Sequence, residues 1–220
     1  MRKGGTIMLE LYGKMSETLL SGNIEEIKRL TQQALDEGSQ AGEVLDKGLL
    51  PGMDIVGQRF KACEMFIPEV LRSAKTMHAA MDILRPLLSE AEAAGSGTLV
   101  IGTVEGDLHD IGKNLVGMML EGAGFNVVDL GTDVKPQAFV DAIKQHKPQI
   151  LGMSALLTTT MPKMGETITA LQGAGIRDQV KVMAGGAPVT QDFVDEIGGD
   201  AYGSNATTAV EKAKTLVGKS

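Results

Sequence analysis

The stretch that decides the fold is Thr98-Leu99-Val100-Ile101-Gly102-Thr103-Val104-Glu105-Gly106-Asp107-Leu108-His109-Asp110-Ile111-Gly112-Lys113. An apolar run gives way to a short polar loop. Beyond the loop, Asn114-Leu115-Val116-Gly117-Met118-Met119-Leu120 has helical spacing. Strand, loop and helix put Asp107 and His109 at the carboxyl end of a strand, where open α/β sheets bind ligands. An imidazole there, with a carboxylate two residues earlier, has the makings of a metal ligand oriented by an acid.

Downstream, the alternation repeats. Apolar runs at 126–130, 150–154, 180–184 and, weakly, 201–202 are followed by helical segments from Pro136, Met161, Thr190 and Asn205. Five such units predict a flavodoxin-like (Rossmann-like), doubly wound five-stranded parallel sheet. The phosphate fingerprint G-x-G-x-x-G does not follow the first strand, which argues against a nicotinamide cofactor. Chemistry then belongs on the loops 105–110, 131–134, 154–160, 185–189 and 203–205. Two of these are unusual. Ser154-Ala155-Leu156-Leu157-Thr158-Thr159-Thr160 is long, uncharged and hydroxyl-rich, and Gly185-Gly186 has no bulk at a strand end. Tight packing against the sheet is the alternative use of a Gly-Gly pair.

Upstream, helix-period patterns run from Ile7 to about Ala94 with no convincing strand. Asn23 and Glu26 form an N-cap pair opening a helix with Ile24, Ile27, Leu30, Ala34 and Leu35 inward. Gly38-Ser39 ends that helix and caps the next, Leu50-Pro51-Gly52 breaks the chain again, and Pro68 opens the longest periodic stretch, from Val70 to Leu88. The pattern predicts an N-terminal helical bundle. Its break sets Phe60, Phe66 and Ile67 together, which on their own read as a hydrophobic plug closing one end of the bundle. His78 lies near the apolar stripe, as a core or boundary histidine does. Cys63 lies in the same break, with nothing beside it to depress a thiol pKa. Ala93-Ala94-Gly95-Ser96-Gly97 reads as a flexible joint, dividing the chain into a helical domain, 1–94, and an α/β domain, 95–220.

Bulk properties exclude several classes. Net charge is −7, and 11 basic against 14 acidic residues in 1–94, with 10 against 14 in 95–220, give −3 and −4. Neither half offers the basic face that nucleic acid needs. One cysteine precludes an internal disulfide and fits a reducing compartment. No apolar run reaches the ~20 residues of a membrane span, and the start lacks the apolar core of a signal peptide. These features predict a soluble, cytoplasmic protein with no membrane partner. Thirteen methionines suit either core filling or adaptable apolar surfaces.

In this order, Asp107-x-His109-x-x-Gly112, Ser154-x-Leu156 and Gly185-Gly186 resemble the cobalamin-binding motif. The helical half, with Phe60, Met65-Phe66-Ile67-Pro68, Ser73-Ala74 and Met77, is similar to the cap module of methionine synthase and of the small corrinoid proteins of methyltransferase systems. The resemblance covers nearly the whole chain. It implies a bound cobalamin or related corrinoid with His109 as lower axial cobalt ligand, and an Asp107–Thr160 relay behind it. Methionine synthase has Ser at the position of Thr160. Gly112 then permits close approach beneath the corrin, Ser154, Leu156 and Thr158 line the cofactor's nucleotide tail, and Gly185-Gly186 let it pass. Phe60 and Ile67 shield a bound methyl group, Ile67 standing where methionine synthase has Leu.

The function implied is a non-catalytic methyl-group carrier. Cobalt(I) takes a methyl group from a donor through a substrate-specific methyltransferase, and methyl-cobalt(III) passes it to an acceptor such as tetrahydrofolate or a thiol coenzyme. A second methyltransferase and a reductive activator are implied as partners. The resemblance leaves the donor open among methanol, methylamines, glycine betaine and methoxylated aromatics. Four rivals stand beside it. A hydrolase would use His109-Asp110 with only His78 and His146 to add. A receiver would pair Asp107 with Asp129. A cobalamin-dependent mutase subunit would share the sheet but not the cap. A cobalamin-sensing regulatory protein would share both but add a DNA-binding segment.

Overall fold

In this computed structural model the described residues are 3–88 and 96–218. Residues 93–95 of the expected joint, and with them the expected boundary at 94/95, lie outside the described residues. The chain divides into two units, Met1–Gly95 with Glu121–Gly124, and Ser96–Leu120 with Phe125–Ser220.

The helical unit contains α1 (Lys3–Ser21), α2 (Ile24–Asp36), α3 (Ala41–Glu43), a π-helical stretch (Val44–Leu49), α4 (Leu50–Lys61) and α5 (Ile67–Leu84). Asn23 caps α2, its side chain accepting the Glu26 N–H at 3.1 Å. Ile27, Leu30 and Ala34 are buried as the periodicity predicts, but Ile24 is exposed and Thr31 takes an inward place instead. Gly38 turns the chain with φ +95°. Ser39 does not cap the following helix: Gln40 stands at that position, and the Ser39 hydroxyl pairs with Tyr12 Oη at 2.9 Å.

Leu50-Pro51-Gly52 is no break either. Pro51 lacks an N–H and its ring would clash with the carbonyl four residues back. The chain stays helical by widening into the π stretch just before it, where the Leu50 N–H reaches back five residues to the Leu45 carbonyl. Gly48 and Gly52 then bring this helix onto α1. A Cβ at Gly52 would sit 2.9 Å from Ser16 Cα, and one at Gly48 2.9 Å from Met15 Sδ.

The turn before α5 departs from the plug reading. Phe66 is 68% exposed and Ile67 44%. Glu69 accepts the Phe66 N–H at 2.8 Å, fixing the helix start. Met65 alone turns inward there. His78 is an exposed boundary residue.

The second unit alternates β1 (Gly97–Thr103), α6 (Ile111–Gly122), β2 (Phe125–Asp129), α7 (Pro136–His146), β3 (Ile150–Ser154), α8 (Pro162–Gly173), β4 (Lys181–Gly185), α9 (Gln191–Glu196), β5 (Ala201–Gly203) and α10 (Ala206–Leu216). All pairings are parallel and the order is β2-β1-β3-β4-β5. This is the flavodoxin-like, doubly wound sheet. Thr190 and Asn205 cap α9 and α10 through the N–H groups of Phe193 and Thr208.

Val100, Leu151 and Val182 share a core with Phe139, Val140 and Ile143 of α7 and Met164, Ile168 and Leu171 of α8. Their neighbours Leu99, Ile101, Ile150 and Met183 are equally buried, so both faces of the sheet are covered. Phe139 is fully buried, which contributes about 1.5–3 kcal/mol. Its ring fits because residue 102 is glycine: a Cβ there would lie 2.8 Å from Phe139 Cε1. Met15, Met77, Met153 and Met164 are buried, so much of the methionine fills core.

Candidate functional site

After β2 forms on one side of β1, the chain crosses to add β3 on the other. The crevice of this topology therefore opens between the carboxyl ends of β1 and β3. The loops after these two strands flank it, and they are stitched together by one carboxylate.

Asp107 is fully buried. Its Oδ1 lies 2.7 Å from His109 Nδ1 and accepts the His109 backbone N–H at 3.1 Å. Its Oδ2 accepts the N–H groups of Leu156 at 2.7 Å and Leu157 at 3.2 Å, and the Thr160 hydroxyl at 2.8 Å. The Leu157 carbonyl is also 2.9 Å from that hydroxyl, but the ionised carboxylate is the stronger acceptor for its single proton. Burial pushes the Asp107 carboxyl up, yet the hydrogen bonds from His109, Leu156 and Thr160 outweigh it and hold the group well below the usual carboxylate range.

An ionised Asp107 places the imidazole proton on Nδ1 and leaves Nε2 as a lone pair. The His109 ring is 51% exposed. The same loops and the start of α6 carry exposed apolar side chains, Leu108, Ile111, Leu156 and Leu157. A single exposed neutral nitrogen donor suits a metal already held by an organic macrocycle. Among the described residues, no three His, Cys, Asp or Glu side chains are grouped to hold a bare ion. His78 and His146 therefore give the hydrolase reading no ligand set. The receiver's acidic pocket also fails to form, because Asp129 is engaged by Lys113 Nζ and by the Gly131 N–H.

The other expected residues fall as follows. Gly112 lies in the first turn of α6, and a Cβ there would meet nothing within 4 Å. Ser154 ends β3 between Thr103 of β1 and Gly185 of β4, and Thr158 is exposed at the tip of the long loop. Gly185 and Gly186 have a packing reason to be glycine. A Cβ at Gly185 would stand 2.7 Å from the Gly203 carbonyl oxygen, and one at Gly186, where φ is +135°, would drive into the Ala155 carbonyl. Phe60 and Ile67 belong to the helical unit, Phe60 half-buried and Ile67 exposed.

Gly186→Ala is therefore expected to destabilise the protein by at least about 2 kcal/mol, from backbone strain and the displaced Ala155 peptide together. The urea unfolding midpoint measures this.

Sequence reasoning missed three supports of the ligand loop. Thr103 Oγ1 donates to the His109 carbonyl at 2.9 Å. Lys113, buried in the first turn of α6, reaches Asp129 and Asn114. Asp133 accepts the Gly106 N–H at 2.7 Å and donates its own N–H to the Asp107 carbonyl at 3.0 Å. Only Lys113 carried a signal, as a charged residue on an otherwise apolar helix face.

Comparison with known proteins agrees with this geometry. Two family models match, each described as a B12 binding domain, one over residues 97–211 and the other over 11–85. Trimethylamine corrinoid protein 1 of Methanosarcina acetivorans is 43% identical over 210 residues, spanning 94% of this chain and 97% of its own. Dimethylamine corrinoid protein 1 of the same organism is 46% identical over 209 residues, spanning 94% and 98%. Among solved structures, the methanol:cobalamin methyltransferase complex of Methanosarcina barkeri matches with a TM-score of 0.87 and 32% identity, over 96% of this chain and 81% of that one. No helix among the described residues is long and apolar enough to cross a membrane.

Proposed function

We propose, from the premise that this chain belongs to the B12-binding corrinoid proteins of methyltransferase systems, that it would hold its corrinoid at the β1–β3 crevice with His109 as the protein's ligand to cobalt. Bound there, the corrinoid supplies a cobalt centre that takes up and gives up a methyl group. The observation that carries this assignment is the half-exposed imidazole fixed from behind by buried Asp107.

The chain's own residues would then work as follows. His109 offers Nε2, the nitrogen of intermediate softness that cobalt accepts. Asp107 fixes the tautomer and orients the ring, and Thr160 holds the carboxylate in place. The exposed apolar side chains Leu108, Ile111 and Leu157 offer surface for the macrocycle to cover. Gly112 leaves room for the macrocycle, while Ser154, Leu156, Thr158 and the Gly185-Gly186 backbone are assigned to the nucleotide tail. Phe60 and Ile67 are assigned to shielding the methyl group, a role supported by the apolar surface that Ile67 presents outside the bundle core.

The methyl donor we assign is a small methylated amine or methanol, delivered by a substrate-specific methyltransferase. The names of the relatives support this class. A second methyltransferase and a reductive activator would serve the acceptor side, where tetrahydrofolate or a thiol coenzyme takes the methyl group.

Reconstitution with hydroxocobalamin tests the reading. Corrin absorbance is expected to co-elute with the protein at about one equivalent, as a single-site carrier requires. A colourless protein would overturn it. With the corrinoid bound, methylation by partner transferases supplied with trimethylamine, dimethylamine or methanol identifies the donor.

A further inference from the structure

We infer that Asp133, on the loop after β2, is a positioning residue that sets the Asp107–His109 turn. This rests on the reading of His109 as an axial ligand, but it concerns a different loop and a different set of bonds. Asp133 grips two successive residues, Gly106 and Asp107. Its Oδ1 accepts the Gly106 N–H at 2.7 Å, and its own N–H donates to the Asp107 carbonyl at 3.0 Å. It thereby fixes the backbone from which both the relay carboxylate and, two residues later, the imidazole project.

Its own conformation is unusual. Asp133 has φ +55°, a left-handed backbone that few residues other than glycine, asparagine and aspartate adopt readily. That conformation presents the N–H and the carboxylate of one residue to the same neighbouring turn. The flanking chain is rigid. Leu130 donates to the Ile101 carbonyl, Gly131 accepts from Thr103, and Val134 donates to Thr103, all at 2.8–3.0 Å. The loop after β2 is thus an extension of β1's own hydrogen bonding, and Asp133 transmits its position to the ligand turn. A second grip from the same side reinforces it: Asp129, at the end of β2, takes the buried Lys113 ammonium from the first turn of α6. The Asp107–His109 turn lies between these two anchors.

Two replacements separate the left-handed backbone of residue 133 from its side-chain acceptor. Asp133→Gly keeps the left-handed backbone and its N–H but removes the acceptor. Asp133→Asn keeps both the backbone preference and an oxygen at Oδ1. In the cofactor-free protein, amide hydrogen exchange at Gly106 and His109 is expected to rise about tenfold in the glycine variant, the loss of one hydrogen bond's protection, and to stay within about twofold of wild type in the asparagine variant. In the cobalt(II) corrinoid form, the glycine variant is expected to lose about half or more of the nitrogen-split electron paramagnetic resonance signal, and the asparagine variant to retain it.

The inference is overturned if Asp133→Gly exchanges and resonates like wild type, or if Asp133→Asn fails as the glycine variant does. A wild-type protein whose cobalt(II) signal shows no nitrogen splitting would remove the ligand reading instead. The amide-exchange comparison would then still decide whether Asp133 positions the turn.

Discussion

Asp107→Ala is expected to lose about 3 kcal/mol or more of stability and all axial nitrogen ligation. The carboxylate is fully buried and accepts from the Leu156 and Leu157 N–H groups, the Thr160 hydroxyl and His109. Truncation orphans these donors together, at about 1–3 kcal/mol for each that water cannot reach. Asp107→Asn is expected to lose less stability than Asp107→Ala, since only the His109 backbone N–H is left facing a donor, and still to abolish the ligand. With its amide oxygen toward Leu156 and Thr160, the Asn NH₂ must face His109 Nδ1. The ring then accepts at Nδ1 and carries its proton on Nε2, so the folded protein has no lone pair for cobalt.

The same pair of variants gives a pH signature. The folded Asp107 carboxyl is held below its unfolded value. Its stabilisation is therefore fully present above about pH 4, and is lost as pH falls from there toward the depressed folded value. Wild type is expected to show a steeper loss of unfolding free energy below about pH 4 than Asp107→Asn, which has no proton to take up there. Equal slopes in chemical denaturation across that range would refute it.

His109→Ala is expected to do the opposite to the balance of effects. Half of the ring is exposed, and residue 109 keeps the backbone N–H that Asp107 accepts. Stability should change by no more than about 0.5 kcal/mol. The nitrogen splitting of the cobalt(II) spectrum should vanish, and corrinoid affinity should fall about tenfold to a hundredfold. Free imidazole is expected to restore the splitting, because the Asp107 carboxylate remains to accept its N–H. A variant with the wild-type spectrum would take His109 out of the cobalt site.

The sheet was legible because each buried parallel strand is a short apolar run bounded by turn residues, and because helix starts carry caps such as Thr190 and Asn205. Asp107 and His109 were legible in the strand–loop–helix pattern, and Thr160 through the family resemblance. What escaped notice has long-range or conformational causes. Asp133 supports the ligand turn from 27 residues away, through a backbone angle that its residue type permits but does not demand. Pro51 read as a break because local preference says so, whereas packing against α1 keeps the helix intact around it. Ile24 obeyed the helical period and still came out exposed. For Gly185-Gly186 the sequence offered both ligand passage and tight packing, and the neighbouring carbonyls of Gly203 and Ala155 supply the packing reason.

The π-helical stretch at Val44–Leu49 also fixes angular phase. Five-residue bonding stores one residue more than a regular helix would use over the same rise, so the stretch behaves as an insertion absorbed without a loop. Were the same residues wound as regular α-helix instead, everything downstream would be rotated by about 100° relative to α1. Gly52, Met53 and Val56 would swing off their partners, and charged neighbours such as Asp54 would swing in. The widened turn is thus what keeps the buried face of α4 in phase.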